Sequence, residues 1–309
     1  MEGDIVIIAI NYANERYTEA QKYNTKTAKD FGCADKVIEY SPYDIDKEFI
    51  NKNIKILSGK RGGGYWLWKP YIILKTLYEA NDGDYIYYCD SGACYANKIQ
   101  LFVDELEKHD QEIMLLKSGF LEVQYSKRDA LILMDCDSEE YLFTDQMTGG
   151  FLLIRNSSNS RELLEEWLSY ARDERIITDN PNTLGKDNYS EFIENRHDQT
   201  VLSLLCKKRG IKPISLPKSG LNEEYNFPKV ILSKSEIGKK TKNVIVANIP
   251  SFSILARRGE FIYPLLITRH NIRYLYLRLC RLLIRYKWFR AMGKLKKSIF
   301  NKQNQRSYM

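Results

Sequence analysis

The chain has 309 residues, 44% of them hydrophobic and 28% charged, enough to bury a large core and too apolar for a disordered chain. The net charge of +7 is unevenly spread: twelve of the 47 Lys and Arg, and none of the 40 Asp and Glu, lie in residues 261–309, so residues 1–260 carry −5. Six scattered cysteines without zinc spacing, no basic leader and no uncharged apolar stretch of bilayer length predict a reduced, cytoplasmic setting.

Residues 4–10 (DIVIIAI) form a β-branched apolar run of the kind that makes a buried parallel strand, delivering Asn11 and Tyr12 to the sheet edge where nucleotides bind. A polar helix over 15–31 and a short strand over 36–40 complete a β-α-β opening. A surface helix over 43–54 then leads into Lys60-Arg61-Gly62-Gly63-Gly64, where two cations flank a backbone free to approach a phosphate closely. The loop lacks the spacing of a phosphate-binding P-loop.

The next helix opens at Trp66 to Tyr71 and runs to about residue 80, with Pro70 tolerated in its first turn. Trp66 and Trp68 read as core aromatics or as sugar-stacking rings, and Lys69 as a partner for phosphate or carboxylate. After the turn at 81–84 an aromatic strand ends in Asp90-Ser91-Gly92. Open α/β sheets bind ligands beyond the carboxyl ends of their strands, so Asp90 is placed to hold a divalent cation against a diphosphate.

Residues 97–110 form an amphipathic helix, 112–116 a strand, and 122–129 a polar stretch in which Arg128 and Asp129 are pocket candidates or solvated charge. Gly149 and Gly150 stand directly before the strand at 151–155, where missing side chains admit a ligand or a tight bend, with Gln146 close by. A helix over 160–172 follows, then a loop rich in Asn, Asp and Pro over 178–190, read as a mobile acceptor loop. His197-Asp198-Gln199 opens a further helix, where Asp198 is either an N-cap or a functional acid. Strands are expected at 211–216 and 244–247.

The tail carries Ile272, Leu275, Tyr276, Leu279, Leu282, Leu283 and Tyr286 at helical spacing opposite Arg278, Arg281 and Arg285. A second stripe, Trp288, Met292, Leu295 and Ile299, is out of phase with the first, so a break is expected near Lys287. Such segments suit an anionic membrane surface, or packing on a partner; no nucleic-acid-reading fold accompanies them.

The block GGGYWLWKPY (62–71), the strand ending in Asp-Ser-Gly, Thr-Gly-Gly-Phe (148–151) and His-Asp-Gln (197–199) together resemble bacterial glycosyltransferases of surface polysaccharide synthesis. The resemblance implies an α/β, GT-A-like (Rossmann-like) mixed sheet flanked by helices over 1–260, followed by the basic amphipathic helical tail 261–309. It implies transfer of a hexose from a nucleotide diphosphate sugar, with UDP the expected nucleotide, to a lipid-linked surface glycan, and retention of configuration. The implied metal is Mn²⁺ or Mg²⁺ on Asp90, although Gly92 replaces the second acid of the usual Asp-x-Asp motif. The implied catalytic residues are Asp198, Gln199 and His197. The implied substrate-binding residues are Asn11, Tyr12, Arg61, Gly64, Tyr65, Trp68, Lys69, Ser91, Gly92, Arg128, Gln146, Gly149 and Gly150. An enzyme at the inner face of the cell membrane is therefore expected, and a noncatalytic nucleotide-sugar-binding or scaffold protein is the alternative.

Overall fold

The apolar runs at 4–10 and 84–89 become the middle of a mixed sheet. The computed structural model describes residues 4–95, 98–214 and 231–232. Its strands are β1 (Ile7–Tyr12), β2 (Lys36–Tyr40), β3 (Tyr85–Cys89), β4 (Ala93–Cys94), β5 (Ile113–Met114), β6 (Lys117–Leu121), β7 (Asp145–Met147), β8 (Phe151–Arg155) and β9 (Ile231–Leu232). The central sheet has the order β2-β1-β3-β8-β5, with β1 parallel to both neighbours and β8 antiparallel to β3 and β5. The pairs β4-β9 and β6-β7 are separate and antiparallel.

Because side chains alternate along a strand, β1, β3 and β8 feed two cores. Ile8, Ile10, Ile86, Tyr88, Leu152 and Ile154 face the helices Trp68–Glu79, Ser158–Ala171 and Asp198–Lys208. Ile7, Ala9, Tyr85, Tyr87 and Leu153 face the helices Thr18–Asp30 and Gln100–Lys108. Burial on both faces explains why these strands read as continuous apolar runs rather than alternating ones. Local sequence fixes the ends of the helices. Ser157 caps the Ser158–Ala171 helix reciprocally with Ser160. Pro70 sits third in the Trp68–Glu79 helix, where no N–H is needed.

The chain leaves β1 for β2 on one side and returns to β3 on the other, so a topological switch point opens between the carboxyl ends of β1 and β3. Two contacts hold that crevice in shape. Ser91 Oγ donates to Tyr12 C=O across it at 2.6 Å, and Asn24, fully buried, donates to Ala93 C=O at 2.7 Å in the turn after β3.

Three expectations change. The stretch 122–129 is not solvated: Glu122, Lys127 and Asp129 are buried, within or beside the short helices Glu122–Tyr125 and Arg128–Leu133. The loop over 178–190 is tied down by these charges. Asp129 accepts from Thr183 N at 2.6 Å, Thr183 Oγ1 at 3.0 Å and Leu184 N at 3.3 Å, and Lys127 Nζ donates to Asn180 C=O at 2.7 Å. Residues 211–214 form no strand and meet the residue after β5, with Ile214 N donating to Leu115 C=O at 2.8 Å. The expected strand at 244–247 and the tail 261–309 lie outside the described residues.

Removing the Asp129 carboxylate leaves a buried site without its anion and the part-buried N–H groups of Thr183 and Leu184 without that acceptor. Asp129→Ala should therefore cost about 2–3 kcal/mol in urea unfolding and open residues 178–190 to proteolysis. An unchanged midpoint and cleavage pattern would show that the loop is held by other contacts.

Candidate functional site

At the crevice the ammonium of Lys69 joins three elements. The side chain leaves the first turn of the Trp68–Glu79 helix and is 4% exposed. Its Nζ lies 2.7 Å from Asp198 Oδ2, donates to Gly149 C=O at 2.9 Å, and lies 3.5 Å from Asp90 Oδ1. The Asp198 contact is a close ion pair rather than an aligned hydrogen bond. Asp90 Oδ1 also accepts from Tyr88 Oη at 2.7 Å, since residues two apart on a strand share a face. Asp90 remains 30% exposed, and among the described residues its Oδ2 accepts no hydrogen bond.

These contacts set the electrostatics. Burial pushes the Asp198 carboxyl up to about 6, and Lys69 only partly offsets that. For Lys69, burial acts to lower the pKa, but Asp198 and Asp90 together outweigh it and raise the ammonium above its ordinary value. Burial, reinforced by Asp90, raises the Tyr88 hydroxyl well above the ordinary phenol range, so it stays a donor. With both acids ionised, the cluster carries one negative charge in excess.

The two glycines of Thr148-Gly-Gly make this closeness possible. A Cβ on Gly149 would stand 3.2 Å from Asp198 Oδ2 and 3.3 Å from Gln199 Cβ, and one on Gly150 would stand 3.0 Å from Asp90 Oδ2. The backbone leading into β8 therefore passes directly against both acids. The glycines provide the clearance that this approach requires.

The motif Gly62–Trp66 adopts a form that local sequence rules disfavour. All five residues have positive φ, from 53° to 95°, making a left-handed turn over Gly62–Tyr65. Glycine accepts this conformation, whereas Tyr65 and Trp66 cost roughly 1–2 kcal/mol each in it. The Trp66 ring lies on Gly62, where a Cβ would come within 2.3 Å of it. Tyr65 and Trp66 both pack on His197, which itself has φ 53°. His197 Nδ1 donates to Ile177 C=O at 2.6 Å, and Nε2 lies 3.7 Å from Asp179 Oδ1. Burial pulls the imidazole down to about 4, so it is neutral at pH 7.

The remaining expected site residues divide by burial. Asn11 is fully buried and bonded to Asn24, Thr25 and Gln21, which corrects its assignment to the ligand surface. Trp68 is 4% exposed, stacked under Tyr12 at 3.7 Å with Nε1 donating to Gly62 C=O, so it packs rather than presenting a sugar platform. Gln146 is fully buried and cannot line a pocket in this conformation. Gly64 is buried too, because a Cβ there would meet Leu57 Cα at 2.7 Å. Arg128 pairs with Asp137 at 2.9 Å and lies over the Tyr189 ring at 3.9 Å, serving the 178–190 loop and not the crevice. Arg61 bridges Asp179 at 3.2 Å and Glu194 at 2.9 Å. Tyr12, Ser91, Asp90, Gly149, Gly150, Asp198 and Gln199 come together at the crevice, while Gly92 has open space beside it. Sequence reasoning missed Tyr88, Glu122 and Asp179. Tyr88 was legible through its two-residue offset from Asp90; Asp179 acts through contacts distant in sequence, and Glu122 through three such contacts besides the local one to Ser126.

As to a metal, the described residues contain no group of three or more His, Cys, Asp or Glu suited to one. The donor set is Asp90 Oδ2 alone, with Asp198 already paired to Lys69. One carboxylate with substrate phosphates is a sufficient set for Mg²⁺, so the residues fit a cation that arrives with a diphosphate and not one held by protein ligands alone. Among the described residues no helix is long and apolar enough to cross a membrane, and Cys33, Cys89, Cys136 and Cys206 form no disulfide.

No protein-family model matches the chain, and no curated protein matches it in sequence. Among solved structures it is similar to the bifunctional glycosyltransferase WbbM in apo form, with TM-score 0.41 and 8% identity over 70% of this chain and 40% of that one. Mouse xyloside xylosyltransferase 1 gives a TM-score of 0.38 and 11% identity over 69% of this chain and 86% of that one. The galactosyltransferase LgtC, solved with donor and acceptor sugar analogues, gives 0.38 and 14% over 64% and 70%. Likenesses at these TM-scores identify no substrate, and what the crevice does follows from its own geometry.

Substituting Lys69 tests the cluster. Lys69→Met leaves two acids facing each other without their cation and should cost about 3–5 kcal/mol at pH 8, with a smaller loss at pH 5, where Asp198 takes up a proton. In the unaltered protein, the raised Asp198 pKa gives stability that is lost as pH rises from about 4 through about 6. The lowered His197 pKa gives stability that is present above 6.5 and lost as pH falls towards about 4. The two oppose, so His197→Asn should show stability rising as pH falls from 6.5 to 4. A curve in that variant parallel to the wild type would refute the opposition.

Proposed function

We propose that the chain is a glycosyltransferase of GT-A-like architecture that moves a sugar from a nucleotide diphosphate sugar to a glycan acceptor. The observation that carries this reading is Asp90 at the switch-point end of β3, with one carboxylate oxygen fixed by Tyr88 and Lys69 and the other open to the crevice. Its excess negative charge repels a bare diphosphate and favours one that brings a divalent cation.

Asp90 would hold Mg²⁺ or Mn²⁺ together with the phosphates. Bound there, the metal supplies neutralisation of the charge that develops on the leaving diphosphate. The protein's own groups do the rest. Tyr88 and Lys69 hold Asp90 in one orientation, and the Gly149-Gly150 backbone lets Asp198 approach the same space. Asp198 beside Gln199 presents negative potential to the sugar carbon as positive charge grows on it. Lys69 keeps Asp198 ionised near neutrality, and its burial leaves it no reach towards phosphate. The neutral, pinned His197 sets the backbone of Asp198 and takes no part in proton transfer in this reading.

The finer assignment is a hexose from a UDP sugar, transferred with retention to a lipid-linked surface glycan. It rests on the motif resemblance and on the basic amphipathic segment 261–309, proposed to lie on the anionic inner face of the cell membrane. Removing residues 261–309 should abolish binding to anionic vesicles, and undiminished binding would remove the membrane assignment. A second reading, nucleotide-sugar binding without turnover, is favoured by the sequestration of Asp198 in an ion pair and by Gly92 in place of a second motif acid.

Titration calorimetry against UDP, GDP, CMP and dTDP sugars, with and without Mn²⁺, separates these readings. The expected result is metal-dependent binding of one nucleotide class, slow hydrolysis of that sugar nucleotide, and loss of both in Asp90→Ala. Hydrolysis should fall as pH drops through about 6, when Asp198 protonates, and Asp198→Asn should remove that limb. Binding without turnover, with or without acceptors, would favour the second reading, and no nucleotide binding under any condition would overturn both.

A further inference from the structure

Beneath the crevice lies a second polar cluster that the chemistry above does not use. Glu122 is fully buried, and its carboxylate accepts four bonds. Oε1 accepts from Ser203 Oγ and Lys207 Nζ, each at 2.5 Å; Oε2 accepts from Ser126 Oγ at 2.5 Å and Gln146 Nε2 at 2.9 Å. The same Gln146 nitrogen donates to Tyr125 C=O at 3.2 Å. A carboxylate paired with Lys207 and a backbone carbonyl both accept only, so the Gln146 amide has one allowed orientation, NH₂ inward and oxygen outward. The outward oxygen then accepts from Gln199 Nε2 at 2.9 Å. That in turn leaves Gln199 Oε1 on the side of Gly149, whose N–H donates to it at 3.2 Å.

Reversing either amide would set oxygen against oxygen and leave buried donors without acceptors, and inside a protein such groups are costly. The buried end of the chain thus sets the polarity of the half-exposed Gln199 together with the Gly149 N–H, which can only donate. We propose that Glu122 and Gln146 are positioning residues: they fix the Gln199 amide so that its oxygen, not its NH₂, faces the crevice beside Asp198. An oxygen there adds to the negative potential of Asp198 and Asp90 next to a sugar centre that is becoming positive, whereas an NH₂ would oppose it. The catalytic consequence rests on the transferase reading; the amide orientation itself does not.

The test uses the full-length chain with ¹⁵N-labelled glutamine side chains. In Gln146→Met, the Gln199 side-chain NH₂ should exchange about tenfold faster or more, while the backbone amides of Asp198–Lys208 keep their protection. In the same variant kcat for nucleotide-sugar hydrolysis, per folded molecule, should fall about tenfold or more with KM little changed. Glu122→Gln, which keeps the volume of the site, carries both measurements if Gln146→Met does not fold. Unchanged Gln199 exchange would overturn the proposal, and so would a released Gln199 amide with full kcat. If the unaltered protein turns over no nucleotide sugar, the transferase reading fails by itself and the exchange measurement alone decides the orientation.

Discussion

A buried ammonium has to be paired, and in this protein the pairing of Lys69 draws the site together. Its three oxygen partners come from the end of β3, the start of β8 and the first residue of the Asp198–Lys208 helix, segments widely separated in sequence. An isolated charge at this depth would cost far more than the fold can supply, so none of these segments can withdraw alone. The glycines at 149 and 150 follow from the same constraint, because two acids can share one cation only where the intervening backbone is bare.

Strain is concentrated beside this cluster. The left-handed turn ending in Tyr65 and Trp66 and the positive φ of His197 are conformations that ordinary residues avoid, and they pack on each other. Trp68, held by Gly62 C=O and stacked under Tyr12, fixes the exit of the turn, so that the next residue, Lys69, enters the core. Strain of this kind persists where surrounding packing over-determines it, as it does around Asp198.

The charged residues in and around the site thus serve two ends. Lys127, Asp129, Arg128 and Glu122 hold loops and amides in place, while Asp90 is partly exposed at the crevice and Asp198 lies buried behind it against Lys69. Their sequence neighbourhoods look alike, since EVQYSKRD reads as solvated charge. What separates the classes is burial and the identity of the partner, and for Glu122 the partners Ser203 and Lys207 lie some eighty residues away.

The apolar runs, the glycine pairs and the chain-order alternation of strand and helix were legible in the sequence, because each reflects a local rule of periodicity or backbone freedom. So was the position of Asp90 at a strand end. Local rules failed at Gly62–Trp66, where propensity gives no sign of a left-handed turn through two aromatics. They failed too at Asn11, Trp68 and Gln146, polar or aromatic residues beside a predicted site that turned out to be its buried supports. Which carboxylate Lys69 would meet, which end of Gln199 would face outward and whether the 178–190 loop would be held were decided only by tertiary structure. Each depends on a partner brought close by folding, and the free energy of a buried polar group is set by that partner and not by its neighbours along the chain.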